Sequence, residues 1–215
     1  MSNKKLILLA AGGHGRVVLD ALMAQNLPIQ GILDPALAVG SEVLQQKVIG
    51  SDEWLLQQDS GLWLLANGVG TTPGGMLRRR LFERWKAAGF SFASVRHPSA
   101  VVARGVTLME GSQLMAGTIV QTGAVIGENT VVNTGARVDH DCRLGAHAFI
   151  APGAILCGDV CVEADVFVGA GAVLRQGITV GAGAVVGAGA VVTRNVDAGV
   201  QVLGHPARPR CANAP

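Results

Sequence analysis

The sequence predicts a Rossmann-like α/β domain over residues 1–95, followed by a triangular parallel β-helix of hexapeptide repeats with a C-terminal tail over residues 96–215. Three observations carry this. Short apolar runs alternate with helical stretches in the first half, as they do in an α/β unit. From Val102 onward an aliphatic residue recurs at every sixth position as far as Val192 without a slip. The composition, with 30 glycines, no tyrosine, 4% aromatic and 15% charged residues, suits short aliphatic side chains packed in a regular repeat.

In the first half, Leu6–Ala11 reads as a buried strand and Gly15–Ala24 as a helix. Ile29–Leu33 reads as a second strand, residues 53–58 as a short helix after Ile49-Gly50-Ser51-Asp52, and Leu62–Ala66 as a third strand. Gly74–Ala88 carries Met76, Leu77, Leu81, Phe82 and Trp85 at amphipathic helical spacing, and Gly89 follows as a stop. Lys4 and Lys5 ahead of the first apolar run imitate a signal peptide. The run is short and meets Gly12-Gly13-His14-Gly15 at once, so a first strand is expected instead.

A period of six fits neither a helix nor one long strand. It fits a prism whose sides are short strands joined by tight turns, with about 18 residues per coil. The aliphatic first residue of each hexapeptide points inward. A small or β-branched residue fills the fifth position, for example Ala124, Ala136, Cys142 and Ala154, and Gly or Asn often occupies the fourth, where the turn needs an unusual backbone. A purely structural repeat protein, such as an ice-binding protein or a scaffold, would show the same pattern.

Several function classes lose support. A net charge of +2, with basic residues scattered apart from Arg78, Arg79 and Arg80, gives nucleic acid little to bind. No apolar run approaches the ~20 residues that cross a bilayer. Cys142, Cys157, Cys161 and Cys211 form no CxxC pair, which favours free thiols in a reducing cytoplasm over disulfides or a metal.

Chemistry concentrates in one repeat, Val138-Asp139-His140-Asp141-Cys142-Arg143. Acyl transfer to an amine or hydroxyl needs a group that takes the proton of the attacking nucleophile, and an imidazole is suited to that near neutral pH. Asp141 or Asp139 could orient the ring, and Asn133 lies in the preceding hexapeptide. His147 occupies a fourth position and could line the same cleft or face solvent. In the first half, Gly12, Gly13 and His14 follow an apolar strand and open a helix, a turn whose amides can cradle phosphate. The spacing is not a full G-x-G-x-x-G. With Asp34 placed about 20 residues on to meet a ribose or base, a mononucleotide carrying a sugar fits better than a dinucleotide. Glycines needed for turn geometry alone are the alternative.

These motifs resemble the sialic acid O-acetyltransferase (NeuD-type) family, which includes nucleotide-amino-sugar N-acetyltransferases of the bacillosamine and perosamine pathways. The resemblance covers nearly the whole chain. It rests on Ala11-Gly12-Gly13-His14-Gly15, Leu33-Asp34, Ile49-Gly50-Ser51-Asp52, His97-Pro98-Ser99-Ala100, Asn133-Thr134, His140-Asp141-Cys142, Ile150-Ala151-Pro152-Gly153-Ala154, Val186-Gly187-Ala188-Gly189-Ala190-Val191-Val192 and Gly204-His205-Pro206-Ala207. It implies a left-handed β-helix, a homotrimer, and acetyl-CoA as co-substrate between neighbouring prisms. The acceptor would be a UDP- or GDP-linked 4-amino-4,6-dideoxy sugar, with O-acetylation of sialic acid or a related sugar as the alternative. By the same resemblance His140 is the base and Asp141 its acidic partner. Gly12, Gly13, His14, Asp34, Gly68 and Asn133 meet the substrate, and Ala170 and Ala188 line the acetyl-CoA path. Related amino-sugar enzymes often carry a second histidine nine residues after the base. Phe149 stands there, so Phe149 and the nearby His147 become candidates for the cofactor side. No metal is implied.

Overall fold

In the computed structural model, which describes residues 4–210, contacts divide the chain into two units. The first runs to Thr71 and takes up Gly75–Pro98; the second holds Thr72–Gly74 and the chain from Ser99 onward. Cys211 lies outside the described residues.

The first unit is built on a sheet of six strands. These are β1 (Lys5–Leu9), β2 (Ile29–Leu33), β3 (Glu42–Val43), β4 (Gln46–Gly50), β5 (Trp63–Asn67) and β6 (Ser91–Phe92), in the order β3-β4-β2-β1-β5-β6. β1 pairs in parallel with both β2 and β5. Flanked on both edges, Leu6 to Leu9 is wholly buried, which is why its apolar residues run on without alternating. Helix α1 (Gly13–Ala24) buries Val18, Leu19 and Leu22. Asp52–Gln57 forms a 3₁₀ turn rather than an α-helix.

Helix α2 (Leu77–Ala87) begins three residues later than its amphipathic pattern suggests. Its buried face is Arg78, Phe82 and Trp85, while Leu77 is exposed. Gly89, at φ 89°, takes the left-handed conformation just past the helix end. All three tryptophans and Phe82, Phe90 and Phe92 sit in this unit, with Phe82 and Phe92 ring centroids 4.4 Å apart. The scarcity of rings therefore describes the second unit, and the first has a conventional aromatic core.

The second unit is the parallel β-helix. Two-residue strands recur every six residues from Val101–Val102 to Val191–Val192. Each pairs in parallel with the strand one coil away, as Ile119 with Arg137 and Arg137 with Ile155. Three sheets result. The first side carries the strands starting at Ile119, Arg137 and Ile155, the second those starting at Val125, Arg143 and Cys161, and the third those starting at Val131, Phe149 and Phe167. The inward ladder of Val120, Ile126, Val132, Val138, Leu144 and their successors forms one buried core. The fourth position is left-handed at every turn from Gly105 to Gly189, including Asp141 at φ 60° and His147 at φ 62°. Among the described residues no helix is long and apolar enough to cross a membrane.

Candidate active site

The turn that carries His140 is held by its neighbours above and below. Asp141 N–H donates to Thr122 O at 3.0 Å, and Asp159 N–H donates to His140 O at 2.9 Å. Asp139 Oδ1 accepts the His140 N–H at 2.8 Å, which turns the chain out of its strand. The left-handed backbone at Asp141 aims its carboxylate back at the ring. His140 Nδ1 and Asp141 Oδ2 lie 2.9 Å apart. A carboxylate only accepts, so Nδ1 carries the proton and Nε2 keeps its lone pair in the neutral ring.

The Asp141 hydrogen bond raises the His140 pKa above its ordinary value of 6.5. Partial desolvation opposes this, and the charges of Asp139, Asp141 and Asp159 assist it. Both side chains are open, 47% and 65% exposed, so a substrate can reach them.

Beside this corner, on the first side of the prism, lies a groove of about 320 Å³. It is lined by Ile119, Gln121, Arg137, Asp139, Ile155 and Cys157 among others. Cys142 points into the prism, wholly buried, and donates from Sγ to Cys157 O at 3.2 Å. Burial pushes its thiol up to about 11, so it stays protonated and is no nucleophile.

The remaining expected residues of this unit occupy the other two corners. Asn133, Ala170 and Ala188 share the corner between the third and first sides, where Ala170 O accepts Gly189 N–H at 2.8 Å. Asn133 Oδ1 accepts the Thr134 N–H at 2.8 Å. His147 sits at the corner between the second and third sides, its Nδ1 3.1 Å from Asn129 Nδ2. The amide donates there, which leaves the proton of a neutral His147 on Nε2. Phe149, a candidate for the cofactor side, is buried in a cluster with Val131 and Ala151 and stacks on Phe167 with centroids 5.5 Å apart. Within one chain, therefore, His140 shares a corner with neither His147 nor Ala170 and Ala188.

In the first unit, Gly12 and Gly13 open α1, and a side chain at either would enter empty space. Gly15 and Gly68 behave differently. A Cβ on either would strike the Ala10 carbonyl oxygen, so both are glycine to let the ends of β1, α1 and β5 meet. His14 is half-buried in the first turn of α1. Asp34 is buried, with Oδ2 accepting Ala11 N–H and Oδ1 accepting Ala36 N–H, each at 2.8 Å. Its carboxylate holds two loops together and leaves only its outward lone pairs for a ligand.

A cavity of about 330 Å³ opens at the carboxyl ends of β1 and β2. Leu9, Ala10, Leu33, Asp52, Arg80 and Arg84 are among its lining residues. This is where open α/β sheets hold ligands. Arg84 Nη1 and Trp85 Nε1 both lie 3.2 Å from Asp52 Oδ2, and Arg80 has no acidic partner among the described residues. Sequence reasoning took Arg78, Arg79 and Arg80 as one basic cluster. The helix separates them: Arg78 is buried, with burial lowering its pKa to about 9, Arg79 pairs with Glu83 on the surface, and Arg80 faces the cavity. Among the described residues, no group of three or more His, Cys, Asp or Glu side chains is placed to hold a metal ion.

Comparison with known proteins aligns with both units. Residues 5–84 match the PglD N-terminal domain, residues 123–158 the bacterial transferase hexapeptide family, and residues 159–194 the hexapeptide repeat of succinyl-transferase. No match was found among curated protein sequences. Among solved structures, the acetyltransferase domain of PglB from Neisseria gonorrhoeae, in complex with acetyl coenzyme A, is 37% identical with a TM-score of 0.90; the match covers 97% of this chain and 100% of that one. PerB from Caulobacter crescentus, in complex with CoA and GDP-perosamine, is 38% identical with a TM-score of 0.87, covering 96% and 97% of the two chains. WeeI from Acinetobacter baumannii is 27% identical with a TM-score of 0.86, covering 96% and 100%.

Proposed function

We propose, from the premise that this chain belongs to the NeuD/PglD-type family of hexapeptide-repeat sugar acetyltransferases, that it acetylates the 4-amino group of a nucleotide-linked 4-amino-4,6-dideoxy sugar. The acetyl donor is acetyl-CoA and His140 is the general base. The observation that carries the mechanism is the His140–Asp141 pair, 2.9 Å apart on an open corner beside a groove.

In this reading the sugar amine attacks the thioester carbonyl while His140 Nε2 takes its proton. The tetrahedral intermediate expels the CoA thiolate, which recovers a proton from the imidazolium. A backbone N–H at a turn of the β-helix stabilises the oxyanion. No covalent acyl-enzyme is needed, in keeping with the buried thiol of Cys142. General-base assistance supplies about 10²–10⁴ of the rate.

The nucleotide would lie at the carboxyl ends of β1 and β2. There Gly12 and Gly13 leave room for phosphates against the backbone, and Arg80 offers an unpaired positive charge. His14 flanks that turn. Asp34 and Gly68 act chiefly by shaping it. Asn133, on the β-helix, is assigned to the substrate by the family resemblance. Ala170 and Ala188 stand on a different corner from His140. A cofactor that meets both kinds of corner is accommodated when two prisms lie side by side, as they would in the homotrimer that the family resemblance implies. A cytoplasmic enzyme would find acetyl-CoA and nucleotide sugars together.

Titrating UDP, GDP and dTDP against the protein tests the acceptor class. Saturable binding of one of them is expected. If none binds and free sialic acid does, the reaction is O-acetylation of a sugar that carries no nucleotide.

A further inference from the structure

We propose that Gly158 is a positioning residue for His140, the shelf across which the imidazole lies one coil further along the prism. This rests on His140 being the base. A Cβ placed on Gly158 would stand 2.5 Å from Nε2, 2.6 Å from Cε1 and 3.1 Å from Cδ2 of His140. Three ring atoms so close to one point mean that the ring covers the Cα of Gly158, with no room for a methyl group between them. Nδ1 is committed to Asp141, so the nitrogen over Gly158 is Nε2, the atom that would take the proton.

The backbone gives no other reason for this glycine. Gly158 lies outside the left-handed region, which the turn assigns instead to Asp159 at φ 56°. The three atoms nearest to an added Cβ all belong to the His140 ring, so no main-chain atom comes closer than 3.1 Å. At Gly145, by contrast, an added Cβ would meet Ala164 N and Glu163 C at 2.6 Å, so the coil itself demands glycine there.

The sequence carries an independent sign. Gly158 holds the first of the two turn positions, the register that His140 holds one coil earlier. From residue 104 to residue 188 every other turn has a side chain at that register, among them Thr122 and Gln176 directly in line with His140. Glycine occurs there once, where the imidazole needs the space. Gly123, whose added Cβ would strike Asp141 Oδ1, faces the carboxylate of the same pair, although its φ of 75° would call for glycine in any case.

The test is Gly158→Ala, alone and in the His140→Ala background, with the histidine rings ¹⁵N-labelled for NMR. In the single variant the ring is displaced from Asp141. Its nitrogen signals shift and its titration midpoint moves down toward the ordinary histidine value. kcat should fall by about 10², the scale of a 1 Å misplacement, while both KM values stay within about threefold, because the residue acts through the ring and not on substrate. In the His140→Ala background the same change should alter neither turnover nor melting temperature, since no ring remains to collide with. Unchanged His140 signals in Gly158→Ala would overturn the proposal. So would a loss of turnover or stability that persists without the ring. If His140→Ala alone turned over like wild type, the base assignment would fail instead, and the NMR result would still report on the shelf.

Discussion

Replacing Asp141 by Gly, Ala and Asn separates its two roles, as a backbone position and as the partner of His140. At φ 60° an ordinary L-residue is strained by about 1–2 kcal/mol. Glycine escapes that strain but adds about 0.5–1 kcal/mol of conformational freedom to the unfolded chain. Asp141→Gly should therefore leave stability nearly unchanged, Asp141→Asn likewise, and Asp141→Ala should lose about 1 kcal/mol. For a chain of this size that is a fall of about 2–4 °C in melting temperature.

Activity should follow a different order. Without the Asp141 hydrogen bond the His140 pKa drops toward its ordinary value, so the neutral, basic ring persists to lower pH. The acid limb of kcat/KM moves down in all three variants. The pair is 47% and 65% exposed, so solvent screens its charges and ring orientation is the larger part of what Asp141 supplies. The plateau should fall by about 10–10², short of the 10²–10⁴ ascribed to the base itself. CoA release across pH measures both quantities. The reasoning is refuted if the acid limb stays put or moves up, or if activity follows melting temperature rather than loss of the carboxylate.

Two further outcomes are expected. Val180 is wholly buried in the prism, so Val180→Asp strands a carboxylate among methyl groups, and urea denaturation should show a loss of several kcal/mol. Cys142→Ala should keep near-normal turnover in the CoA-release assay, because its thiol is buried and protonated; a folded variant without activity would contradict direct transfer.

The β-helix is the most legible part of the sequence because its physics repeats: the same inward aliphatic residue and the same left-handed fourth position recur at every turn. The His140–Asp141 pair was legible for a similar reason, since the two partners are adjacent in the chain and the turn alone brings them together. What escaped depends on contacts distant in sequence or on weak turn chemistry. The β3–β4 hairpin turns at Leu44 and Gln45, both at positive φ, without the glycine or asparagine that announces such a turn. Arg78 stands in a run of three arginines that the sequence does not tell apart, yet its Nη1 donates to Asn67 O and Val69 O, tying β5 to α2 inside the fold. The cavity residues Asp52, Arg80 and Arg84 come from two segments with no shared motif.

The most direct measurement is CoA release by the purified protein from acetyl-CoA, with a panel of UDP-, GDP- and dTDP-linked 4-amino-4,6-dideoxy sugars, for wild type and His140→Ala. Release with one of these acceptors, reduced by about 10²–10⁴ in the variant, is the predicted result. Release with none of them, or equal release by both proteins, would contradict the assignment of acceptor or of base respectively.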